Sequence, residues 1–153
     1  MNFYRNSLNT CQIVLVDDDK DDQFIFCEAF EDIDKNINIC TFNNGQEFLD
    51  FIAGSEESYP AIVFMDLNMP ILNGIQCLNK LREQTRFKDL SIIIYSTSNS
   101  ERDIKETFEI GANRYMNKPN SFSKLKSLLS QAISLDFIKE GFSKTYLDGY
   151  LLA

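Results

Sequence analysis

Residues 61–65 read Ala-Ile-Val-Phe-Met, and residues 91–95 read Ser-Ile-Ile-Ile-Tyr. Neither segment alternates apolar with polar residues, so a strand formed from it is apolar on both faces. That pattern is typical of parallel strands that helices cover on both sides of a sheet. The two segments therefore predict a central parallel sheet.

Three further short apolar segments, residues 12–16, 38–42 and 114–116, are rich in β-branched or large apolar side chains and are also predicted to be strands. Segments with helical spacing of apolar residues lie between the strands. Strands and helices therefore alternate along the chain. Right-handed crossovers then give a five-stranded, doubly wound α/β domain, whose ligands bind at the carboxyl ends of the strands.

Two helix starts carry N-cap signals. Asn44 precedes Glu47 by three residues, and Ser98 precedes Glu101 by three, as in a capping box. The last helix is predicted over residues 121–137. Its predicted inner face consists of Phe122, Leu125, Leu129, Ala132 and Ile133.

The composition fits one folded domain and excludes several function classes. The chain has 153 residues, of which 44% are hydrophobic and 25% charged. Its net charge of -8 argues against nucleic acid as a direct partner. Histidine is absent from the sequence, which excludes Ser-His-Asp, Cys-His and His-metal catalysis.

Four scattered cysteines form no CxxC pair and are interpreted as reduced thiols. Residues 1–10 lack the features of a signal peptide, and no apolar run approaches the roughly 20 residues that span a bilayer. We therefore expect a cytoplasmic protein without membrane contact.

Polar residues follow four of the predicted strands at the same edge of the sheet. They are Asp17, Asp18 and Asp19 after the first strand, Asp66 and Asn68 after the third, Ser96 after the fourth, and Lys118 after the fifth. Carboxylates, a hydroxyl and an ammonium around one point suit phosphoryl transfer to a carboxylate with a divalent metal.

Each of these residues also has an ordinary structural interpretation. The run 17–22, with five aspartates, resembles a solvated turn and helix start, and Asp66 alone resembles a turn former. Ser96 and Lys118 are common loop residues. The functional interpretation depends on their convergence at one end of one sheet.

The ordered motifs resemble the receiver domains of bacterial two-component response regulators over roughly residues 12–137, in the stand-alone, chemotaxis-receiver-like form. The motifs are Val16-Asp17-Asp18, Met65-Asp66-Leu67-Asn68-Met69-Pro70, Asn73-Gly74, Gly111-Ala112 and Lys118-Pro119. The resemblance implies the flavodoxin-like strand order 2-1-3-4-5 that chemotaxis receivers share. It also implies a receiver domain at residues 11–137, between an N-terminal extension at 1–10 and a tail at 138–153.

The resemblance further implies a role for each polar residue. Asp66 is the expected phosphoacceptor. Mg²⁺ is the expected cofactor, held by Asp17, Asp18, Asp66 and the backbone carbonyl of Asn68. A one-residue slip of the acidic pair to Asp18 and Asp19 stays open.

Three more residues complete the expected switch. Ser96 and Lys118 are expected to bind phosphoryl oxygens, and Tyr115 resembles the aromatic residue that moves inward on activation. These changes would alter the face formed by the fourth helix, the fifth strand and the fifth helix.

The expected function is that of a stand-alone receiver in a phosphorelay, because the 16 residues after 137 are too few for an output domain. A sensor histidine kinase or phosphotransfer protein would donate the phosphoryl group, and a downstream protein would read the switched face. Such a domain is not an enzyme, although it takes part in its own phosphotransfer and autodephosphorylation. The sequence leaves the kinase, the stimulus and the target open.

Two other functions stay open. One is a haloacid-dehalogenase-type phosphatase that uses Asp17 and Asp19, although the stretch from 119 to 135 lacks the acidic pair which that family requires. The other is a receiver-like binding module that works without phosphorylation.

The tail allows two interpretations. Ile138, Phe142, Tyr146 and Tyr150 recur every four residues and would form an apolar stripe on a helix. The tail either packs on its own domain or frays, or it docks a partner or a second subunit. The second interpretation predicts self-association through the tail or through the face around the fifth strand.

Overall fold

The computed structural model describes residues 11–55, 59–134 and 149–152. All strands of its single sheet are parallel, in the order β2-β1-β3-β4-β5-β6. The strands are β1 (Ile13–Val16), β2 (Ile39–Phe42), β3 (Ile62–Met65), β4 (Ile92–Ser96), β5 (Arg114–Asn117) and β6 (Leu151–Leu152).

Helices connect successive strands up to β5, and a further helix follows it. They are α1 (Lys20–Ile33), α2 (Gly45–Ala53), α3 (Gly74–Arg82), a 3₁₀ helix (Thr85–Phe87), α4 (Glu101–Ile110) and α5 (Phe122–Ser134). Within the described ranges, no helix has the length and apolar character needed to cross a membrane.

The doubly wound α/β fold and the order 2-1-3-4-5 of the first five strands are confirmed. Strand β6 was not predicted. It extends the sheet beyond β5, where Tyr115 pairs with Leu151 and Met116 with Leu152. Two residues are too few to produce a periodic strand signal, so the sequence pattern does not predict the sixth strand.

Both faces of the sheet are buried, as the apolar strands predicted. Ile62, Val63, Phe64 and Met65 of β3 have no exposed surface. Because successive side chains of a strand point to opposite faces, Val63 and Met65 pack with α2 and α3, whereas Ile62 and Phe64 pack with α1 and α5. The sheet is therefore held rigidly between two layers of helices.

The first predicted cap is confirmed and the second is wrong. The Asn44 side chain accepts a hydrogen bond from the backbone N–H of Glu47. At α4, however, the N-cap is Ser100, which accepts from the N–H of Asp103. The Ser98 hydroxyl instead donates to the Asp103 carboxylate at 2.5 Å. Ser98 and Ser100 are both of a residue type that caps helices, and the Ser100 hydroxyl is the one that meets the first turn of α4.

Helix α5 begins one residue later than predicted, and residues 135–137 lie outside the described ranges. Phe122 is not on its inner face: the side chain is 41% exposed, and the Lys126 ammonium lies 4.9 Å from its ring centroid. The helical position of Phe122 turns it toward solvent. The residues that do pack inward are Leu125, Leu128, Leu129, Ala132 and, in part, Ile133.

The prediction of four reduced thiols is wrong for one pair. Cys11 and Cys40 form a disulfide, with Cα atoms 5.9 Å apart. Cys40 belongs to β2, and Cys11 lies just before β1, the strand that pairs with β2. Pairing of these strands brings together two residues that are 29 positions apart, which their spacing did not reveal. Cys27 and Cys77 are free.

The predicted helical stripe of the tail is wrong at Tyr150, which lies in a turn just before β6. Ile138, Phe142 and Tyr146 lie outside the described residues. Tyr150 is only 2% exposed, and Leu152 is 5% exposed. This part of the tail therefore packs on its own domain.

Candidate functional site

The carboxyl ends of β1, β3, β4 and β5 bring the predicted site residues to one edge of the sheet. Val16 pairs with Met65, so the next residues, Asp17 and Asp66, leave the sheet side by side. Ser96 ends β4, and Lys118 follows the end of β5. The parallel strands thus bring residues that are distant in the sequence into one cluster.

Lys118 lies at the centre of this cluster. Its Nζ donates to Oδ2 of Asp17 at 2.8 Å, of Asp22 at 2.8 Å and of Asp66 at 3.3 Å. The Lys118 side chain is 9% exposed, and its ammonium also lies 5.2 Å from the centroid of the Tyr95 ring. One ammonium thus faces three carboxylates, which leaves an excess of negative charge.

The carboxylates of Asp17, Asp18 and Asp66 offer oxygen atoms that all lie within 4.8 Å of one another. A set of hard oxygen donors of this kind suits Mg²⁺, which keeps several waters and takes few protein ligands. Asp18 is exposed, whereas Asp17 and Asp66 are buried. The donor set therefore fits a divalent cation that solvent reaches from one side.

Asp19 has a different role. Its Oδ1 accepts from the backbone N–H groups of Asp21 and Asp22, and this caps α1. The carboxylate cluster accordingly consists of Asp17 and Asp18 with Asp66, and the slipped pair is not the one that clusters.

The environment shifts the protonation of the cluster. Burial, followed by the charge of Asp17, raises the pKa of Asp66 to about 6, against the opposing effects of Lys118 and the Leu67 N–H. Burial also raises the pKa of Asp17. Burial alone would lower the pKa of Lys118, but the hydrogen bonds to Asp17 and Asp22 and the charge of Asp66 raise it above its ordinary value. Lys118 is therefore cationic at neutral pH.

The loop after β3 fixes the Asp66 carboxylate. Its Oδ1 accepts from the Leu67 N–H at 2.8 Å, and the Asp66 N–H donates to the Val16 carbonyl at 2.9 Å. Gly74, at the start of α3, allows a close approach, because a Cβ there would collide with the Asp66 carbonyl and lie 2.9 Å from Leu67 Cα. Asn68 is exposed two residues beyond Asp66.

Ser96 and Tyr115 are linked through the loop after β4. Ser96 is fully buried, and its Oγ accepts from the Ser98 N–H at 3.1 Å. The Tyr115 hydroxyl donates to the Ser98 carbonyl at 2.7 Å, and the Tyr115 side chain is also fully buried. Asn117 Nδ2 donates to the carbonyls of Ser96 and Ser98. This loop connects the site to β5.

Sequence reasoning missed Asp22 and Gln23. Asp22 bonds Lys118, and Gln23 Nε2 donates to the Asp17 carbonyl at 2.5 Å and to Asn43 Oδ1 at 3.0 Å. The signal for both was their position in the first turn of a helix that begins at the site. They orient the two residues on which the cluster depends.

A family profile described as "Response regulator receiver domain" matches residues 13–130. The chain belongs to this family. Receiver domains are signalling domains rather than classical enzymes, and the match covers the strand ends that form the cluster.

Among curated relatives, "Probable methanogenesis regulatory protein FilR2" of Methanothrix harundinacea is 27% identical over 122 residues, covering 78% of this chain and 79% of that protein. Two further curated relatives are longer. The match spans 5% of "Hybrid signal transduction histidine kinase A" of Dictyostelium discoideum and 42% of "Nitrate/nitrite response regulator protein NarL" of Escherichia coli.

Two solved structures share the fold. Response regulator RPA3017, in red light signaling of R. palustris, has a TM-score of 0.73 at 29% identity, covering 88% of this chain and 99% of that chain. The Mn²⁺-bound form of response regulator Rcp1 has a TM-score of 0.70 at 22% identity, with the same coverage, and shows a likeness in fold.

Proposed function

We propose that this receiver domain accepts a phosphoryl group on the Asp66 carboxylate and passes the change to a partner protein. The observation that carries the proposal is the Lys118 ammonium, which lies 3.3 Å from Asp66 Oδ2 and is itself held by Asp17 and Asp22. A cation fixed beside a buried acceptor is positioned to bind an oxygen of the transferring group.

Asp17, Asp18, Asp66 and the backbone carbonyl of Asn68 are the proposed ligands of Mg²⁺. When bound, Mg²⁺ supplies positive charge that offsets the repulsion between carboxylates and the charge of the phosphoryl oxygens. The grouping of three carboxylates supports this assignment, and so does the Mn²⁺-bound form of Rcp1, a protein of the same fold.

The reaction needs Asp66 in its ionised form. With a pKa of about 6, this carboxylate is mostly ionised at neutral pH. A carboxylate oxygen of Asp66 attacks the phosphorus of a phosphohistidine. The P–N bond breaks, and the electron pair of that bond remains on the imidazole nitrogen of the donor. The product is an acyl phosphate, with oxygens bound by Lys118 and the Ser96 hydroxyl.

The proposed donor of the phosphoryl group is a sensor histidine kinase or a phosphotransfer protein. The domain would act in the cytoplasm. The domain would also assist its own dephosphorylation. Because Ser96 Oγ accepts from Ser98 N–H and Tyr115 bonds Ser98, a change at Ser96 reaches Tyr115 on β5. The face formed by α4, β5 and α5 is the proposed docking surface for a downstream protein.

A phosphatase that uses Asp17 and Asp19 is not favoured, because the Asp19 carboxylate is engaged in capping α1. A module that binds partners without phosphorylation remains the competing function.

The experiment is incubation with Mg²⁺ and acetyl phosphate, followed by the intact mass of the protein. We expect the gain of one alkali-labile phosphoryl group, and no gain in an Asp66→Asn variant. Asp50→Asn is the matched control, because Asp50 is an exposed residue of α2 whose carboxylate accepts a hydrogen bond from the Gln46 side chain. If the Asp66→Asn variant is still modified, the acceptor is wrong. If the natural chain is never modified by acetyl phosphate or by phosphohistidine donors, the binding module is favoured.

A further inference from the structure

Strand β6 covers the edge of β5. Tyr115 pairs with Leu151, and the Tyr115 N–H donates to the Tyr150 carbonyl at 2.8 Å. The proposed switch residue is therefore attached through its backbone to a segment that follows the receiver core.

The Tyr150 side chain joins the same region from the other side. Its hydroxyl lies 2.7 Å from Thr107 Oγ1 of α4, and its ring contacts Phe108 and Tyr115, with centroids 5.2 Å and 6.3 Å away. Tyr150 is 2% exposed and thus fills the space between α4 and β5. A tyrosine buried this completely, with its hydroxyl bonded, is held in one position.

The contacts form a continuous series from the site to the tail. Ser96 Oγ accepts from Ser98 N–H, the Ser98 carbonyl accepts from the Tyr115 hydroxyl, and Tyr115 contacts Tyr150 through backbone and ring. A change in how Ser96 is bonded therefore has a direct route through the Ser98 backbone to Tyr115 and to its contact with Tyr150.

We infer that Tyr150 is a positioning residue: docked with β6, it holds Tyr115 inward and so favours binding of a phosphoryl group at Asp66. The inference rests on the proposed function. Under the proposed function, the inward position of Tyr115 is the phosphorylated arrangement of the switch, and pairing with β6 stabilises that position. By linkage, a tail that favours the phosphorylated arrangement strengthens phosphoryl binding, and phosphoryl binding strengthens docking of the tail by the same factor.

The test uses the full chain with Mg²⁺ and beryllofluoride, a mimic of the phosphoryl group, in a calorimetric titration. We expect Tyr150→Ala to weaken beryllofluoride binding by about fivefold or more, within the usual range of allosteric coupling. Tyr150→Phe, which keeps the ring but loses the bond to Thr107, should have a smaller effect of the same sign. Leu151→Ser is the matched control, since Leu151 is the next residue along the chain and lies in β6, but is 45% exposed.

A second readout separates positioning from mere stabilisation. The Tyr115 amide bonds the Tyr150 carbonyl, so its hydrogen exchange measures docking of β6. Beryllofluoride should slow this exchange in the natural chain, and the slowing should be lost in Tyr150→Ala. A purely structural Tyr150 would raise exchange in the variant, and beryllofluoride would then leave exchange in the natural chain unchanged.

Four results would overturn the inference. Equal affinity of the natural chain and Tyr150→Ala would remove the coupling, and tighter binding by the variant would make β6 an inhibitory cover instead. A natural chain that binds no beryllofluoride would contradict the proposed function itself, and the inference with it. Loss of affinity in Leu151→Ser equal to that in Tyr150→Ala would assign the effect to the strand as a whole rather than to Tyr150.

Discussion

At Asp66 the fold opposes the ionised form that the proposed phosphoryl transfer requires. Its pKa of about 6 lies above the ordinary value of about 3.9 for an aspartate, so the folded protein binds more protons than the unfolded chain between these values. The free energy of unfolding therefore falls as the pH rises from about 4 to about 6, and the loss persists at neutral pH.

The Asp66→Asn variant should accordingly be more stable than the natural chain at pH 7.5 without Mg²⁺, by about 1 to 3 kcal/mol. The difference should shrink below pH 4, where Asp66 is protonated in both states. Urea unfolding at several pH values measures this. Asp50→Asn should differ little from the natural chain at any pH, and an Asp66→Asn variant less stable than that control would contradict the prediction.

Lys118 would compete with Mg²⁺ at the proposed metal site, because its ammonium bonds both Asp17 and Asp66. A Lys118→Met variant should bind Mg²⁺ roughly tenfold more tightly. The free energy of this gain is a fraction of the interaction energy of about 4 kcal/mol between two unit charges 4 Å apart near a protein surface. Its phosphorylation by acetyl phosphate should nevertheless slow by about 10²-fold, because a cation that binds the transferring group is lost.

The two effects have opposite signs, which distinguishes them from unfolding. Tyrosine fluorescence can follow the Mg²⁺ titration, since the chain has six tyrosines and no tryptophan. Lys105→Met is the control, because Lys105 makes only a 4.0 Å ion pair with Glu109 on the exposed side of α4. Weaker Mg²⁺ binding in Lys118→Met would mean that Lys118 organises the carboxylates rather than competing for them.

At the scale of elements, α3 and the loop after β3 hold each other in place. Gly74 begins α3 beneath Asp66, and the Gly74 N–H donates to the Leu67 carbonyl at 3.0 Å. Since a Cβ at this position would collide with the Asp66 backbone, Gly74→Ala must move the loop that carries Asp66, the proposed acceptor.

We expect Gly74→Ala to cost about 1 to 3 kcal/mol of unfolding free energy, the range for an overpacked site. Its phosphorylation should also slow, because the acceptor is displaced. Gly54→Ala is the matched control: the Cβ would lie 3.6 Å from the nearest atom, the Phe51 carbonyl oxygen, which is ordinary contact. Equal stability of both variants in urea unfolding would show that the loop adapts freely.

At the scale of the whole molecule, most of the fold could be predicted because apolar segments and their order determine a parallel sheet. The convergence of Asp17, Asp66, Ser96 and Lys118 followed from the same rule, since parallel strands end at one edge. Their roles in binding metal and phosphoryl groups stay proposals.

The unpredicted features depend on contacts between distant parts of the chain. Asp22 joins the site only because α1 directs its first turn toward Lys118. The bond between Cys11 and Cys40 requires the pairing of β1 with β2. The four-residue spacing of apolar residues in the tail suggested that Tyr150 lies on a helix, whereas burial between α4 and β5 determines its position. Local pattern carries none of this information.

The two-residue length of β6 also bears on aggregation. An edge strand exposes unpaired N–H and C=O groups that another molecule can bind, and short edge strands limit this hazard. Strand β5, with four residues, would present a longer edge if β6 were undocked. Concentrated Tyr150→Ala protein should then scatter more light over time than Leu151→Ser. The tail would thus protect the solubility of the domain independently of any signal that it carries.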